Sequence, residues 1–504
     1  MPPTLRTDFS IDVALEEWTD LCGQTDGLFS LSPLTSPEPS PPASPVISAK
    51  ISLPEHGTPS LKCQDPSPTH DHAHDMLLPP PIFPLHISTS YSSSPPFSQC
   101  TIPSEEMVLA PSLHMVTTTA DPKLKPRKKA KPPYRAARQH ASANAARAHR
   151  REQTKGSVVD SVPRESSHRK YVKSAQRISS TFVTEKGRAA RTGFIGINDR
   201  SKSSRMYTLE ELTGPTSEHK FKLVKWDGKK PMFVSDSSGR AILILAGHPD
   251  DGQWHNLMGL AVDALEIART RFIPPKKPNR RGSFDSLHCG VSFGGGQTSP
   301  SNLRNNKVNQ VLLDWLNGLE PFKRLAGFAS GAMHTWAKDL FDAYASNLKE
   351  LHKDPGLKHV FPSSIFSAAT YNLGPCTVCH RHKDFSNLPY GYCAVTALGN
   401  FDPTQGGHLI LWELGLVIEF PPGSTILLPS VLISHSNVPI SSNERRYSFT
   451  QYTAGGIFRW VAHKCQTKAK YLATLSPDGL AAYAQEESLR WIKGVNLIPV
   501  VLRE

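Results

Sequence analysis

Long apolar runs are absent from this 504-residue sequence. No stretch is long enough to span a bilayer, and the opening MPPTLRTDFSIDVALEEW lacks an extended apolar core, so neither a membrane protein nor a secretory signal peptide is expected. Clustered cysteine is lacking as well. The eight cysteines are scattered over positions 22, 63, 100, 289, 376, 379, 393 and 465. That spacing gives no disulfide framework and points to an intracellular, reducing compartment where thiols stay free or bind metal. Apolar residues make up only 38% of a chain that carries 44 prolines, so part of it is expected not to pack. Basic residues are scarce at the start: positions 1–120 hold 13 acidic and 3 basic side chains, a net of −10, which leaves +23 on the rest of a chain of net +13. A strongly basic body suits a polyanionic partner such as nucleic acid.

Residues 30–120 are rich in Ser and Pro (SPLTSPEPSPPASP, PPPIFPLHISTSYSSSPPFS), a composition that buries too little apolar area to offset chain entropy, so disorder is expected over the acidic 1–120 region. His70, His72 and His74 in THDHAHD fall within it and read as a polar tract. Ahead of it, Ile11, Leu15, Trp18 and Leu21 stand at near-helical spacing among acidic residues, so positions 10–22 are a candidate segment that folds on a protein partner. Positions 123–155 carry twelve Lys or Arg against Glu152 alone, a candidate nuclear-import signal followed by an Ala/Arg-rich helix. Residues 121–200 are read as a basic linker or arm able to neutralise phosphates without reading sequence.

Folding is expected from about residue 201. MYTLEELTG, KFKLVKW and AILILAG read as short β-rich runs. Residues 251–273 have helical apolar spacing with Asp250 or Asp251 as cap, and further helices are expected at 307–318 and 328–352. The glycine loop GVSFGGGQTSP has no Lys-Ser/Thr pair and no helix directly after it, which excludes a phosphate loop. From Ser367 the pattern turns β: HLILWEL, LVIEF, STILLPS and RYSFTQYTA, divided by Gly and Pro turns, as in an antiparallel barrel or sandwich.

Within CHRHKDFSN, strand alternation places His382 and Asp384 on one face, with His380 on it as well. A second distant histidine, His435 in LPSVLISHSNVP, lies four strand-like runs downstream. Two imidazoles and one carboxylate on one face of an octahedral ion form the ligand set of non-haem Fe(II) oxygenases, with sites left for co-substrate and O2. In NERRYSFTQY, Arg446 and Ser448 share a strand face and suit bidentate grip of a carboxylate, while Arg445 faces the other way. A competing reading joins Cys376, Cys379 and His380 in a zinc site with Cys393 or Cys289 as fourth ligand.

His382-x-Asp384, His435 and Arg446-x-Ser448 resemble the signature of the Fe(II)/2-oxoglutarate-dependent dioxygenases. CHRHKDFSN with RRYSFTQY is similar to the TET/JBP group, which oxidises the methyl of 5-methylcytosine or thymine in DNA. GVSFGGGQ, RLAGFASGAMHTWAKDLFDAY and FPPGSTILLPS resemble the transposon-associated TET/JBP-like proteins of mushroom-forming fungi. The resemblance covers residues 240–462 and implies an α+β fold, a double-stranded β-helix of jelly-roll or cupin type flanked by helices, over 201–465, with 466–504 as a C-terminal extension. It implies iron on His382, Asp384 and His435, 2-oxoglutarate on Arg446 and Ser448, and a flipped methylated base against Asn387 and Tyr452, in a nuclear protein that binds DNA. TET enzymes also use a His beside the iron histidine for zinc. Two departures stand out: Ala454 replaces the histidine of TET proteins, and their cysteine-rich zinc region is missing. N6-methyladenine, thymine and RNA remain alternative substrates, and a non-catalytic DNA-binding protein that keeps the barrel is the alternative from another class.

Overall fold

The computed structural model of the chain describes residues 165–198 and 204–501, together with Arg138, Ala141, Ser142, Ala145 and His149, which are helical. The readings made of residues 1–120, including the 10–22 segment and the histidine tract, lie outside the described residues, as does most of the basic arm.

Thirteen described strands form two sheets. In chain order they are β1 (Gln176–Ser179), β2 (Lys222–Val224), β3 (Met232–Ser235), β4 (Ala241–Gly247), β5 (Asp285–Ser292), β6 (Ser301–Asn302), β7 (Ala368–Leu373), β8 (Cys393–Asn400), β9 (Leu409–Leu411), β10 (Leu416–Ile418), β11 (Thr425–Leu428), β12 (His435–Asn437) and β13 (Arg445–Tyr452). The large sheet has the order β1-β3-β4-β11-β8-β13-β7-β5-β6, and the small one β12-β9-β10-β2. From β8 onward the chain passes between them, with β8, β11 and β13 in the large sheet and β9, β10 and β12 in the small one. Such alternation of antiparallel strands between two facing sheets is the double-stranded β-helix, or jelly roll.

Alternation along the strands divides apolar from functional side chains. In β13, Tyr447 and Phe449 point away from the barrel and join Tyr371 and Phe322, whose rings stand 4.8 Å apart edge to face. That outer cluster seats the helices Trp254–Arg271, Lys307–Gly318 and Glu320–Trp336. Arg446, Ser448 and Tyr452 alternate to the inner face. The interior between the sheets is filled by Ile426, Leu428, Leu409, Leu411, Ile418 and Phe420.

Four expectations change. The 328–352 segment is two helices, Glu320–Trp336 and Lys338–Leu351, and the first begins earlier than expected because Pro321 fits the first turn of a helix. MYTLEELTG is not β: Thr208 and Glu211 form a reciprocal capping box that starts a short helix, Leu209–Thr213. The helix Trp254–Arg271 has Gln253 at its cap position with no side-chain cap, and Asp251 instead accepts from the Gln253 N–H at 3.0 Å in the turn before it.

The fourth concerns the two flanks of the barrel, expected as linker and extension. Both are built into the fold. Strand β1 pairs in parallel with β3, the Trp491 indole donates to the Glu185 carbonyl at 2.8 Å, and Arg490 donates to the Thr192 carbonyl at 2.6 Å. The flanking segment then braces the loop after Asp384, with the Gly196 N–H donating to the Phe385 carbonyl at 2.7 Å. Gly455 is required beside it, since an added Cβ would lie 1.6 Å from the Phe194 carbonyl oxygen. The five described cysteines are free thiols, and no described helix is long and apolar enough to cross a membrane.

Candidate metal centre

His382 and His435 come from segments 53 residues apart, and the backbone joins them directly. The His382 N–H donates to the His435 carbonyl at 3.1 Å and the His435 N–H to the His382 carbonyl at 2.9 Å. Their ring centroids are 4.3 Å apart. The chain then turns, and the Asp384 N–H donates to the Ser430 carbonyl at 2.9 Å, so the carboxylate lies 3.9 Å from His382 Nε2. Nitrogen and oxygen donors of His382, Asp384 and His435 all fall within 4.8 Å of one another, the one such group of three metal-ligating residues among the described residues.

Each imidazole is held in one tautomer. Nδ1 of His382 lies 2.8 Å from the His380 carbonyl and Nδ1 of His435 lies 3.0 Å from the Ile433 carbonyl. A carbonyl only accepts, so both Nδ1 atoms carry the proton and both Nε2 lone pairs are free for a cation. Burial holds both rings neutral: it pulls His382 well below the usual imidazole range, helped by His435, and lowers His435 as well. Burial alone would raise Asp384, but the Arg281 guanidinium and the two histidines reverse it and hold the carboxyl well below the usual range. Two neutral nitrogens and one ionised carboxylate meet in a buried niche, which fits a divalent ion that keeps open positions.

Arg446 is buried at 2% exposure and lies between the Phe401 and Phe420 rings, 5.7 and 5.9 Å from their centroids. Nη1 donates to the Thr377 carbonyl, Nε has no partner, and no carboxylate of the described residues pairs with it. Burial lowers the guanidinium to about 10, so it stays charged at neutral pH. Gly407 leaves it room, because a Cβ there would lie 3.2 Å from Nε and the position has a φ of +72°. A buried cation with an unsatisfied donor is costly unless an anion completes it. An external carboxylate fits. Ser448 lies on the same strand face, its hydroxyl accepting from the Asn372 amide at 2.9 Å. Burial raises the Cys379 thiol, and the charges of Arg281 and Arg446 oppose that rise.

The base-contact residues are placed as follows. Asn387 forms an antiparallel bridge with Ala454, and its amide donates to the Ser430 hydroxyl at 3.3 Å. The position that differs from TET proteins is therefore its direct cross-strand neighbour. Tyr452 is half-buried at the end of β13. Burial raises its hydroxyl, opposed by a hydrogen bond with Thr370 and the Arg281 charge.

His380 does not join the triad, contrary to the alternation argument: between residues 379 and 386 only His382 is bridged, the rest is irregular, and the His380 N–H donates to the Arg281 carbonyl at 2.7 Å. Nor do Cys376, Cys379 and His380 come together as a metal-ligating group. Burial raises both thiols, Cys379 to about 11, so they are protonated at neutral pH.

Sequence reasoning missed Arg281. Its Nη2 lies 2.5 Å from Asp384 Oδ1, and its Nε is buried without a partner. In the sequence it is one arginine of PNRRGS ahead of a strand, with no spacing that ties it to a site 103 residues on. Also missed was a polar row on the inner face of β5 and β7: His288 links Thr370 at 2.8 Å and Ser286 at 3.0 Å. Even polar spacing in DSLHCGV carried that signal.

No protein-family model matches the chain, and no curated protein does. Solved structures do match, 34 chains among them. One is NgTET1 in complex with 5mC DNA, 16% identical with a TM-score of 0.35, covering 49% of this chain and 87% of that one. Another is an oxidoreductase of the 2OG-Fe(II) oxygenase family from Burkholderia pseudomallei, 17% identical with a TM-score of 0.24, covering 41% of this chain and 92% of that one. At these scores the functional reading rests on the site's own geometry.

Proposed function

We propose that the chain is an Fe(II)- and 2-oxoglutarate-dependent dioxygenase that oxidises the methyl group of 5-methylcytosine in DNA. The observation that carries the reading is the pairing of the His382/Asp384/His435 donor set with the buried, anion-free guanidinium of Arg446. His382, Asp384 and His435 would hold the iron, and Arg446 with Ser448 the distal carboxylate of 2-oxoglutarate. Bound iron, with 2-oxoglutarate and O2, supplies the oxidising equivalents that turn a methyl into a hydroxymethyl group, releasing succinate and CO2.

The chain's own residues do the rest. The carbonyls of His380 and Ile433 aim the two Nε2 atoms, and Phe401 and Phe420 exclude water from the co-substrate charge. Asn387 and Tyr452 would contact an extruded base, since a stacked base does not reach a buried centre. The resemblance of CHRHKDFSN and RRYSFTQY to TET/JBP sequences supports the C5-methyl of a pyrimidine over an N-methyl group. The Lys/Arg run at 123–131 supports action in the nucleus.

The test is purified full-length protein with Fe(II), 2-oxoglutarate and ascorbate on DNA carrying several modified bases side by side, read by mass spectrometry of the nucleosides. 5-Hydroxymethylcytosine formed with stoichiometric succinate is expected. Formaldehyde release would instead identify an N-methyl substrate, and 2-oxoglutarate turnover with no oxidised base would remove nucleic acid as substrate.

A further inference from the structure

The loop between the helix Trp254–Arg271 and β5 reads FIPPKKPNRRGSF, positions 272–284. It holds four cations within six residues, Lys276, Lys277, Arg280 and Arg281, and no acid. Pro274, Pro275 and Pro278 fix φ at three of its positions and limit what it can adopt. Its far end is pinned to the metal centre. Arg281 Nη2 reaches Asp384 at 2.5 Å, the His380 N–H donates to the Arg281 carbonyl at 2.7 Å, and an added Cβ on Gly282 would meet the Val378 carbonyl at 2.4 Å.

Consecutive arginines point different ways. Arg281 turns inward to the carboxylate, while Arg280 is exposed and lies over the Phe385 ring, 5.8 Å from its centroid. Phe385 directly follows the metal-ligating aspartate, so Arg280 stands at the mouth of the site. Lys276 and Lys277, four and three residues earlier in the same loop, are exposed. None of these three cations forms an ion pair with a described acidic residue. The nearest acid in sequence, Asp285, is raised by burial with no cation contributing, so it does not neutralise the loop. Three cations without an acidic partner, close together in one proline-stiffened loop, are costly through mutual repulsion, and they become favourable when a polyanion lies across them.

We infer that residues 276–281 are a phosphate clamp: Lys276, Lys277 and Arg280 hold the backbone phosphates of the strand that delivers its nucleotide to the metal centre. The inference rests on the nucleic-acid reading above and adds where that strand lies. The occupant is a nucleic-acid backbone because such a backbone offers evenly spaced charges for successive side chains. Arg280, with a planar guanidinium backed by an aromatic ring, suits one phosphate in bidentate fashion, and the two lysines act as point charges on its neighbours.

The experiment measures binding of full-length protein to a fluorescein-labelled duplex with one methylated CpG, by anisotropy over a salt series. Removing one cation from a phosphate lowers the slope of log K against log [salt] by about 0.9, so K276Q/K277Q/R280Q is expected to flatten it by about 2.7. K276Q/K277Q, which leaves Arg280 over the Phe385 ring, is expected to flatten it by about 1.8 and covers the case in which loss of Arg280 disturbs the loop. Unmethylated duplex is expected to show the same change, because phosphate contacts carry no base information. Mn(II) binding to both variants stays at the wild-type level. An unchanged slope in variants that fold normally, or a weakening confined to methylated DNA, overturns the clamp. Wild-type protein that binds no duplex at all overturns the nucleic-acid reading instead.

Discussion

Asp384 is ion-paired with Arg281 before any metal arrives, their atoms 2.5 Å apart across 103 residues of sequence. The carboxylate is thereby fixed beside two histidines whose lone pairs are already aimed, with the paired oxygen, Oδ1, itself 3.9 Å from His382 Nε2. Arg281 is a positioning residue: it orients a ligand and does not touch the reacting atoms. Replacing such a partner typically lowers metal affinity by about 10–100-fold, and that is the expected loss for Arg281→Ala in a Mn(II) titration. Arg281→Lys is expected to recover part of it, since charge is kept and the fork is lost. Equal affinity in wild type and Arg281→Ala would show that Asp384 needs no such partner.

Arg446 offers a separation of binding from stability. A buried cation with an unpaired Nε costs the empty protein free energy. Arg446→Met is therefore expected to abolish 2-oxoglutarate binding by calorimetry while leaving the melting temperature of the ligand-free protein unchanged or higher. In wild type, 2-oxoglutarate in the presence of Mn(II) is expected to stabilise the fold by mass action, by about 2.7 kcal/mol at a hundred times its dissociation constant, and so to raise the melting temperature. A variant that loses stability without the ligand would mean that the guanidinium is satisfied inside the fold.

Acid sensitivity follows from buried neutral histidines. Burial lowers His288 and His408 from 6.5 to about 4. A folded pKa below the unfolded one means that the unfolded chain takes up protons first as pH falls. The stabilisation is fully present above 6.5 and is lost on descending to about 4, with at most about 3 kcal/mol per group. Neither ring nitrogen of His408 has a partner, so His408→Leu is expected to soften the acid transition. Urea midpoints across that window, in the absence of metal, test both statements.

The helical layer is held by the outer aromatic cluster. Phe322 is fully buried against Tyr371 and Phe449, with ring centroids 4.8 and 5.6 Å away. Phe322→Ala is expected to destabilise the protein by about 3–5 kcal/mol in chemical denaturation while leaving Mn(II) affinity intact, because the cavity opens on the face opposite the metal centre. A loss of affinity in the folded variant would show that the helices also tune the site.

The residue types, order and local periods were legible in the sequence. HLILWEL, LVIEF, STILLPS and RYSFTQYTA became β9, β10, β11 and β13 because Gly and Pro turns and alternating apolar residues leave few other local solutions. In β13 the period of two assigns Arg446 and Ser448 to one face and Tyr447 and Phe449 to the other. His382, Asp384 and His435 stand out as ligand types in a fixed order.

Their convergence was decided by the fold. His382 meets His435 through one isolated bridge, and Asp384 arrives by a turn rather than by strand alternation, which is why alternation wrongly groups His380 with them. Arg281 and the bracing segment at 185–198 gave no local signal, since a contact across a hundred or more residues depends on which distant strands, loops and helices the fold brings together. Side-chain chemistry and short-range periodicity are properties of neighbouring residues, whereas the distance between Arg281 and Asp384 exists only once β5 and β7, the strands that follow and precede them, have paired in the large sheet.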